Sequence, residues 1–312
     1  MPFKLSPDCI VLAEPEKLHY PGDTVSGHIV LKFEKFSTCR AITLTVKGKA
    51  ETGWDNVTKV GQWTYFNESG VLWKAEMSEN RIEPGTHRIP FDYTVPENIP
   101  QSFEGPFGFI RFYIKVHMDR PHALDQCVKK EFLVTQKPTV VSKKHLGPEH
   151  IIRYCQKLNC NRGEIYFEAQ LSNRIIFFDD PISLIIKIKN CSSRTIKKIS
   201  LEAFQRIEYY STTSACRKTH SVLIGKTGKS ELKIRNDEIA ISTFSMKFKE
   251  PATPSFASEL IQVSYVLLVN LFTDGFWAAP LVFPVEFEVG KKSDVGTEDE
   301  ETCDGLINFD ED

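Results

Sequence analysis

The sequence predicts an all-β protein of two tandem β-sandwiches, and three observations carry that prediction. Apolar residues recur at every second position in one short run after another, the period of a strand with one buried face. Turns rich in Gly, Pro, Asn and Asp separate these runs at intervals of ~8–12 residues, the spacing of a sandwich, and no helical period is sustained. The second half of the chain then repeats the plan of the first. A length of 312 residues suits two domains of ~150 residues each.

Taken in order, Cys9–Leu12 reads as a first strand after the opening Phe3–Asp8. Tyr20-Pro21-Gly22-Asp23 is a turn in which Pro presets φ and Gly accepts the positive φ that a type II turn needs. Val25, Gly27, Ile29 and Leu31 then alternate, followed by Ile42, Leu44 and Val46. Residues 51–70 are polar with Trp54, Trp63, Tyr65 and Phe66 interspersed, and read as a loop whose rings pack under their own hairpin or form a docking surface. After a turn at Glu83-Pro84-Gly85, two runs flank a proline-rich bend. Ile89, Phe91, Tyr93 and Val95 make the first, and Ile110, Phe112, Ile114 and Val116 the second. A further strand covers 129–136. Residues 138–153, with two prolines, a glycine and mixed charge, read as the connector between domains 1–137 and 154–290.

Beyond the connector the pattern returns. Asp23-x-Val25 maps onto Asp180-x-Ile182 at a separation of 157 residues, which also carries Ile42 onto Ile199 and Leu44 onto Leu201. Phe244-x-Met246-x-Phe248 with Pro251, and Ile261-x-Val263-x-Tyr265-x-Leu267, echo the two runs around the bend. Pro280–Val289 supplies a last strand. From 291 to 312 the composition turns acidic, and the stretch reads as a flexible tail with one apolar island.

Composition excludes several classes. A net charge of −2 offers no basic excess for nucleic acid, and none is expected as a partner. Met1–Pro15 lacks the apolar core of a signal peptide, and the apolar run Val263–Phe272 falls short of a ~18-residue span. Eight scattered cysteines fit reduced thiols, so the expected location is the cytoplasm. The glycan triplets at Asn56, Asn67 and Asn190 are then chance matches.

The motif runs carry a resemblance. Ile89-Pro90-Phe91-x-Tyr93-x-Val95-Pro96, then Ser102-Phe103, Gly108-Phe109-Ile110-Arg111-Phe112-Tyr113-Ile114-Lys115-Val116 and Asp119-Arg120-Pro121, resemble the N-domain of arrestin-domain proteins, the α-arrestins especially. Tyr20-Pro21-Gly22-Asp23-x-Val25-x-Gly27 is a second landmark, and the likeness runs to about residue 290. It implies two arrestin-like, immunoglobulin-like β-sandwich domains and a non-enzymatic adaptor. Such an adaptor would bind cytoplasmic parts of membrane receptors or transporters, associate peripherally with plasma membrane and endosomes, and couple its cargo to endocytosis. A retromer-like sorting subunit, or a signalling scaffold without clathrin contact, is the alternative.

Within that resemblance Lys4 is the candidate phosphate contact, with Leu5 where visual and β-arrestins place a second lysine. Leu306, Ile307, Phe309 and Asp310 match a clathrin box, an extended peptide whose apolar residues enter grooves while the acids complement a basic rim. Recruitment of ubiquitin ligases would be indirect, since the chain has no Pro-Pro-x-Tyr. The thioredoxin-binding cysteine of one α-arrestin branch has no counterpart in Leu223–Ser230, with Cys216 the nearest thiol.

Other constellations read as scaffold. Gly225–Ser230 ends like a phosphate loop but lacks the first glycine and the following helix, so it reads as a hairpin turn. His145, His150, Cys155 and Cys160 lack the knuckle of a zinc site. No nucleophile–base pair emerges, so no catalytic residue, cofactor or metal is expected.

Overall fold

The computed structural model describes residues 5–54, 57–75, 80–121, 124–137, 150–158, 163–178, 180–213, 215–247, 253–275 and 279–291, without the side chains of 57–59 and 150. The first domain holds β1 (Ile10–Leu12), β2 (Leu18–His19), β3 (Thr24–Phe33), β4 (Ser37–Thr38), β5 (Ala41–Trp54), β6 (Val57–Lys74), β7 (Arg81–Ile82), β8 (Gly85–Thr94), β9 (Phe103–Gly105), β10 (Gly108–Asp119) and β11 (Gln126–Val134). The second holds β12 (His150–Lys157), β13 (Gly163–Leu171), β14 (Ile175–Phe177), β15 (Ile182–Ser192), β16 (Ile196–Tyr210), β17 (Arg217–Lys226), β18 (Ser230–Ile234), β19 (Glu238–Met246), β20 (Phe256–Ala257), β21 (Ile261–Thr273) and β22 (Leu281–Gly290).

Each domain is a sandwich of a smaller and a larger sheet. In the first, β1-β3-β8 packs on β2-β11-β10-β5-β6; in the second, β12-β13-β15-β19 packs on β14-β22-β21-β16-β17. The layers meet through rings such as Phe66 on Tyr93, with centroids 5.5 Å apart, and Phe167 on Phe283 at 4.4 Å. The repeat extends to an unusual detail. The outermost strand of each larger sheet pairs in parallel, β2 with β11 and β14 with β22, while the neighbouring ladders are antiparallel.

Alternation explains why these segments are strands. Along β5 every second residue from Ile42 to Thr52 is buried, and along β15 the buried set is Ile182, Leu184, Ile186 and Ile188. The expected turn at Tyr20–Asp23 is present: Gly22 has φ +93°, and the Asp23 carboxylate accepts from the Tyr20 N–H at 2.9 Å.

Four expectations change. Residues 51–54 and 57–70 are not a loop; they form most of the long β5–β6 hairpin, in which Phe66 is buried and stacks on Phe112 while Trp63 is exposed. Gly225–Ser230 is not a hairpin turn either. Strands β17 and β18 run one after the other along the same edge of β16, Lys226 opposite Glu202 and Ser230 opposite Ile199, so the glycines mark a break between collinear strands. Strand β12 begins at His150, so residues 150–153 belong to a sheet rather than to the connector. At the start, Pro7–Cys9 is a 3-10 turn and the strand begins at Ile10.

Candidate docking surfaces

Lys4 and the box residues Leu306, Ile307, Phe309 and Asp310 lie outside the described residues, as do His145 and Cys160. Leu5, next to Lys4 in sequence, is buried, with its N–H donated to Gln126 Oε1 at 2.7 Å. Leu5 borders a cleft of about 810 Å³ beside β1, with Lys32, Lys35 and Arg120 among its lining residues and Asp8 and Glu34 as its acids. The Arg120 Nε is buried there without a hydrogen-bond partner among the described residues. Three cations around one cleft, next to a strand edge, suit an anionic extended peptide. Cys9 and Cys39, both buried in this domain, are pushed up to about 11 by desolvation and are not reactive thiols.

A second feature is the seam between the sandwiches. The end of the β5–β6 hairpin meets the end of β16: Thr52 Oγ1 donates to Tyr210 O at 2.7 Å, and Ser211 Oγ to Val60 O at 3.1 Å. Phe103 meets Phe256 edge-on at 5.6 Å, and Phe107 meets Tyr209 at 5.7 Å. Burial pushes the Tyr209 phenol up to about 12, so it stays neutral. The backbone at Gly61 runs so close that a Cβ would stand 2.5 Å from Thr52 Oγ1 and 2.8 Å from Tyr210 O. Buried rings and paired polar groups at this seam join the two domains as one unit.

The outer faces of the two smaller sheets are the third feature. On β3 and β8 they carry polar and charged residues such as Ser26, Lys32, Arg88 and Asp92. On β15 and β19 they carry Ile185, Ile239 and Ile241, exposed by 40%, 56% and 66%, beside Lys187 and Lys189. Sequence reading missed this apolar patch because outward isoleucines are indistinguishable from core ones until the facing sheet is known. Further along the same face Tyr166 donates to Glu164 Oε2 at 2.7 Å, and so does the Cys155 thiol at 3.5 Å. That partnership raises the Cys155 thiol, after desolvation, rather than activating it. Cys216 is exposed ahead of β17. The Asn190 amide is buried, donating to Arg194 O and Ile234 O, and is a structural clamp rather than a glycan site. Among the described residues no helix is long and apolar enough to cross a membrane.

With this architecture in place, comparison with known proteins assigns the family. Residues 9–140 match the arrestin (or S-antigen) N-terminal domain, and residues 161–290 the arrestin C-terminal domain. The chain belongs to the arrestin-domain family, on its α-arrestin side. Among its relatives, arrestin domain-containing protein 17 of Caenorhabditis elegans is 26% identical over 66% of this chain and 53% of that protein. Human arrestin domain-containing protein 4 is 26% identical over 85% of this chain and 66% of its own length. Thioredoxin-interacting protein of Pongo abelii is 22% identical over 60% of this chain and 51% of that protein. The chain thus spans between half and two thirds of the length of these relatives.

Proposed function

We propose that the protein is a non-catalytic adaptor in membrane-protein trafficking. Its sandwiches bind extended cytoplasmic segments of receptors or transporters, and Leu306–Asp310 engages clathrin. The observation that carries the reading is the joined pair of sandwiches with a cationic cleft beside β1, an edge strand among the described residues. β1 offers backbone groups to an added strand, while Lys32, Lys35 and Arg120 offer charge to acidic or phosphorylated cargo. Arrestin-domain kinship supports an adaptor role, carried out from the cytoplasm with recruitment to plasma membrane and endosomes. The reading divides the chain into 1–137, 138–153 and 154–290, with an acidic tail from 291; strand β12 of the second sandwich starts at His150.

The test is proximity labelling in cells with the full chain and with a Leu306→Ala/Phe309→Ala variant. The adaptor reading expects endocytic-coat neighbours to be lost and membrane-protein neighbours kept. Identical neighbour lists would remove the clathrin box and favour a sorting or signalling scaffold.

A further inference from the structure

Extended sheets guard their edges, because an open edge with free N–H and C=O groups recruits any strand that reaches it. Three of the four edges of the smaller sheets follow this rule. Strand β1 is three residues long, β8 carries Arg88, Pro90 and Asp92 outward, and β12 carries Arg153 and Lys157. Strand β19 does not. After Glu238 it runs Ile239–Met246 without a charge or a proline, and no strand pairs with its far side among the described residues. Its outward Ile239 and Ile241 are exposed, while its inward Ala240, Ser242 and Phe244 are only half-buried. Both faces of this edge are unfinished. The neighbouring edge of the larger sheet is closed to strands by charge, since β17 carries Arg217 and Lys226 and β18 carries Glu231 and Lys233.

We propose that two copies of the chain pair β19 with β19, antiparallel about a two-fold axis. The product is one continuous sheet of eight strands, four from each copy. Two observations select a second copy as the occupant. The first is the fit of the strand to itself. Outward residues must stay opposite outward ones, and among the registers that allow this, the one with Ser242 on the axis pairs all nine residues. On the inner face it sets Phe244 against the partner's Ala240, large against small, once on each side of the axis. On the outer face Ile239 and Ile241 meet the partner's Ser245 and Thr243, and the two Ile241 side chains become diagonal neighbours. Ile185, opposite Thr243 on β15, extends that apolar stripe in each copy.

The second observation is charge. Asp237 and Glu238 stand at the start of the strand and Lys247 just past its end, with nothing charged between them. None of the three forms a salt bridge among the described residues. Antiparallel pairing brings the acid end of each copy to the basic end of the other, with Asp237 opposite the partner's Lys247 at both ends. A foreign strand must happen to carry this polarity, whereas a second copy has it by construction. The contact is small. A ladder of this length is ~30 Å long, a modest patch beside the ~1,600 Å² of a standard interface, so the dimer is reversible and micromolar. Pairing itself does not rest on the adaptor reading. Where that reading holds, a dimer presents two cationic clefts and gains avidity for clustered cargo.

Sedimentation equilibrium of the full chain over a concentration series is the test. A monomer–dimer equilibrium is expected with no larger species, since a two-fold contact closes on itself. Ile241→Lys sets like charges across the axis and should weaken dimerisation at least tenfold, while the Tm of the dilute chain stays unchanged. Lys247→Glu sets acid against acid and should weaken it severalfold, with the loss reduced at high salt. Cysteine placement reads the register. Under mild oxidation Ser242→Cys should give a dimer in which peptide mapping finds the 242–242 disulfide, because this residue faces its own copy. Ile239→Cys, ~20 Å from its own copy in the same register, should give no 239–239 link. A chain that stays monomeric up to its solubility limit overturns the proposal. So does a dimer that survives Ile241→Lys or that forms no 242–242 link. Assembly beyond the dimer overturns it in favour of open, head-to-tail edge pairing. No readout involves cargo or clathrin, so failure here leaves the adaptor reading standing, and failure of that reading leaves the dimer.

Discussion

The two sandwiches are one topology written twice, and their differences sit where the shared plan leaves freedom. Their larger sheets agree down to the parallel outermost strand. Even there one position diverges: the repeat sets buried His19 of β2 against buried Ile176 of β14. The smaller sheets agree in strand order but not in edge chemistry. The first domain ends on a guarded β8, the second on an unguarded, isoleucine-bearing β19. A shared core with divergent edges is expected if packing constrains inward residues alike, while each edge is shaped by what must or must not pair with it.

The comparison can be broken first at the cores. Phe112→Ala in one domain and Phe283→Ala in the other each remove a fully buried ring, and each should cost about 3–5 kcal/mol of stability. Because the seam joins the domains, calorimetry should show one shared transition for the unaltered chain, with either variant lowering it. Two separated transitions in the unaltered chain would show that the seam does not couple the sandwiches.

Gly61→Val addresses the seam itself. The added side chain meets Thr52 Oγ1 and Tyr210 O, and the overpacking should cost about 1–3 kcal/mol. The expected signature in calorimetry is splitting of the transition, since the damage lies between cores rather than within one.

A smaller effect concerns pH. Burial holds the His19 imidazole below its ordinary pKa, and nearby Lys17 pushes the same way against Asp23 and Glu14. The unfolded chain therefore binds this proton first. The stability it confers is present above the unfolded pKa of about 6.5 and declines as pH falls through that value. His19→Ile, the residue the second domain uses at the matching position, should flatten the pH dependence of Tm between pH 7 and 5. An unchanged slope would assign the acid sensitivity to other groups.

The smallest expected change in stability comes from exchanging the edges. Arg88→Ile/Asp92→Ile removes both charges from β8 and should alter folding by no more than about 0.5 kcal/mol, because both side chains are exposed. It should nonetheless promote concentration-dependent association in sedimentation. A variant that associates no more than the unaltered chain would show that Pro90 alone protects that edge.

Much of this molecule was legible before any coordinates. Alternation, turn chemistry and the repeat are local signals, and the strands from Val25, Ile42, Ile110, Ile182 and Ile261 emerged where the period placed them. The hairpin of β5 and β6 was hidden by its polar sequence, since a long ribbon buries only a minority of its side chains, here Phe66 and Thr52 among the described residues of 51–70. The candidate site was legible only in part. Motif kinship pointed to Lys4 and Leu306–Asp310, whereas the cleft with Lys32, Lys35 and Arg120 draws on three separate segments.

Taken alone, the order of residues determined the class, the duplication and the family, because period-two burial and glycine-dependent turns are written within a few neighbouring positions. Tertiary structure decided which strands became edges, that β17 and β18 share one edge of β16, and that Thr52 and Val60 reach Tyr210 and Ser211. Those outcomes depend on which distant segment pairs with which, and an isoleucine reads the same in sequence whether the facing sheet covers it or leaves it in water.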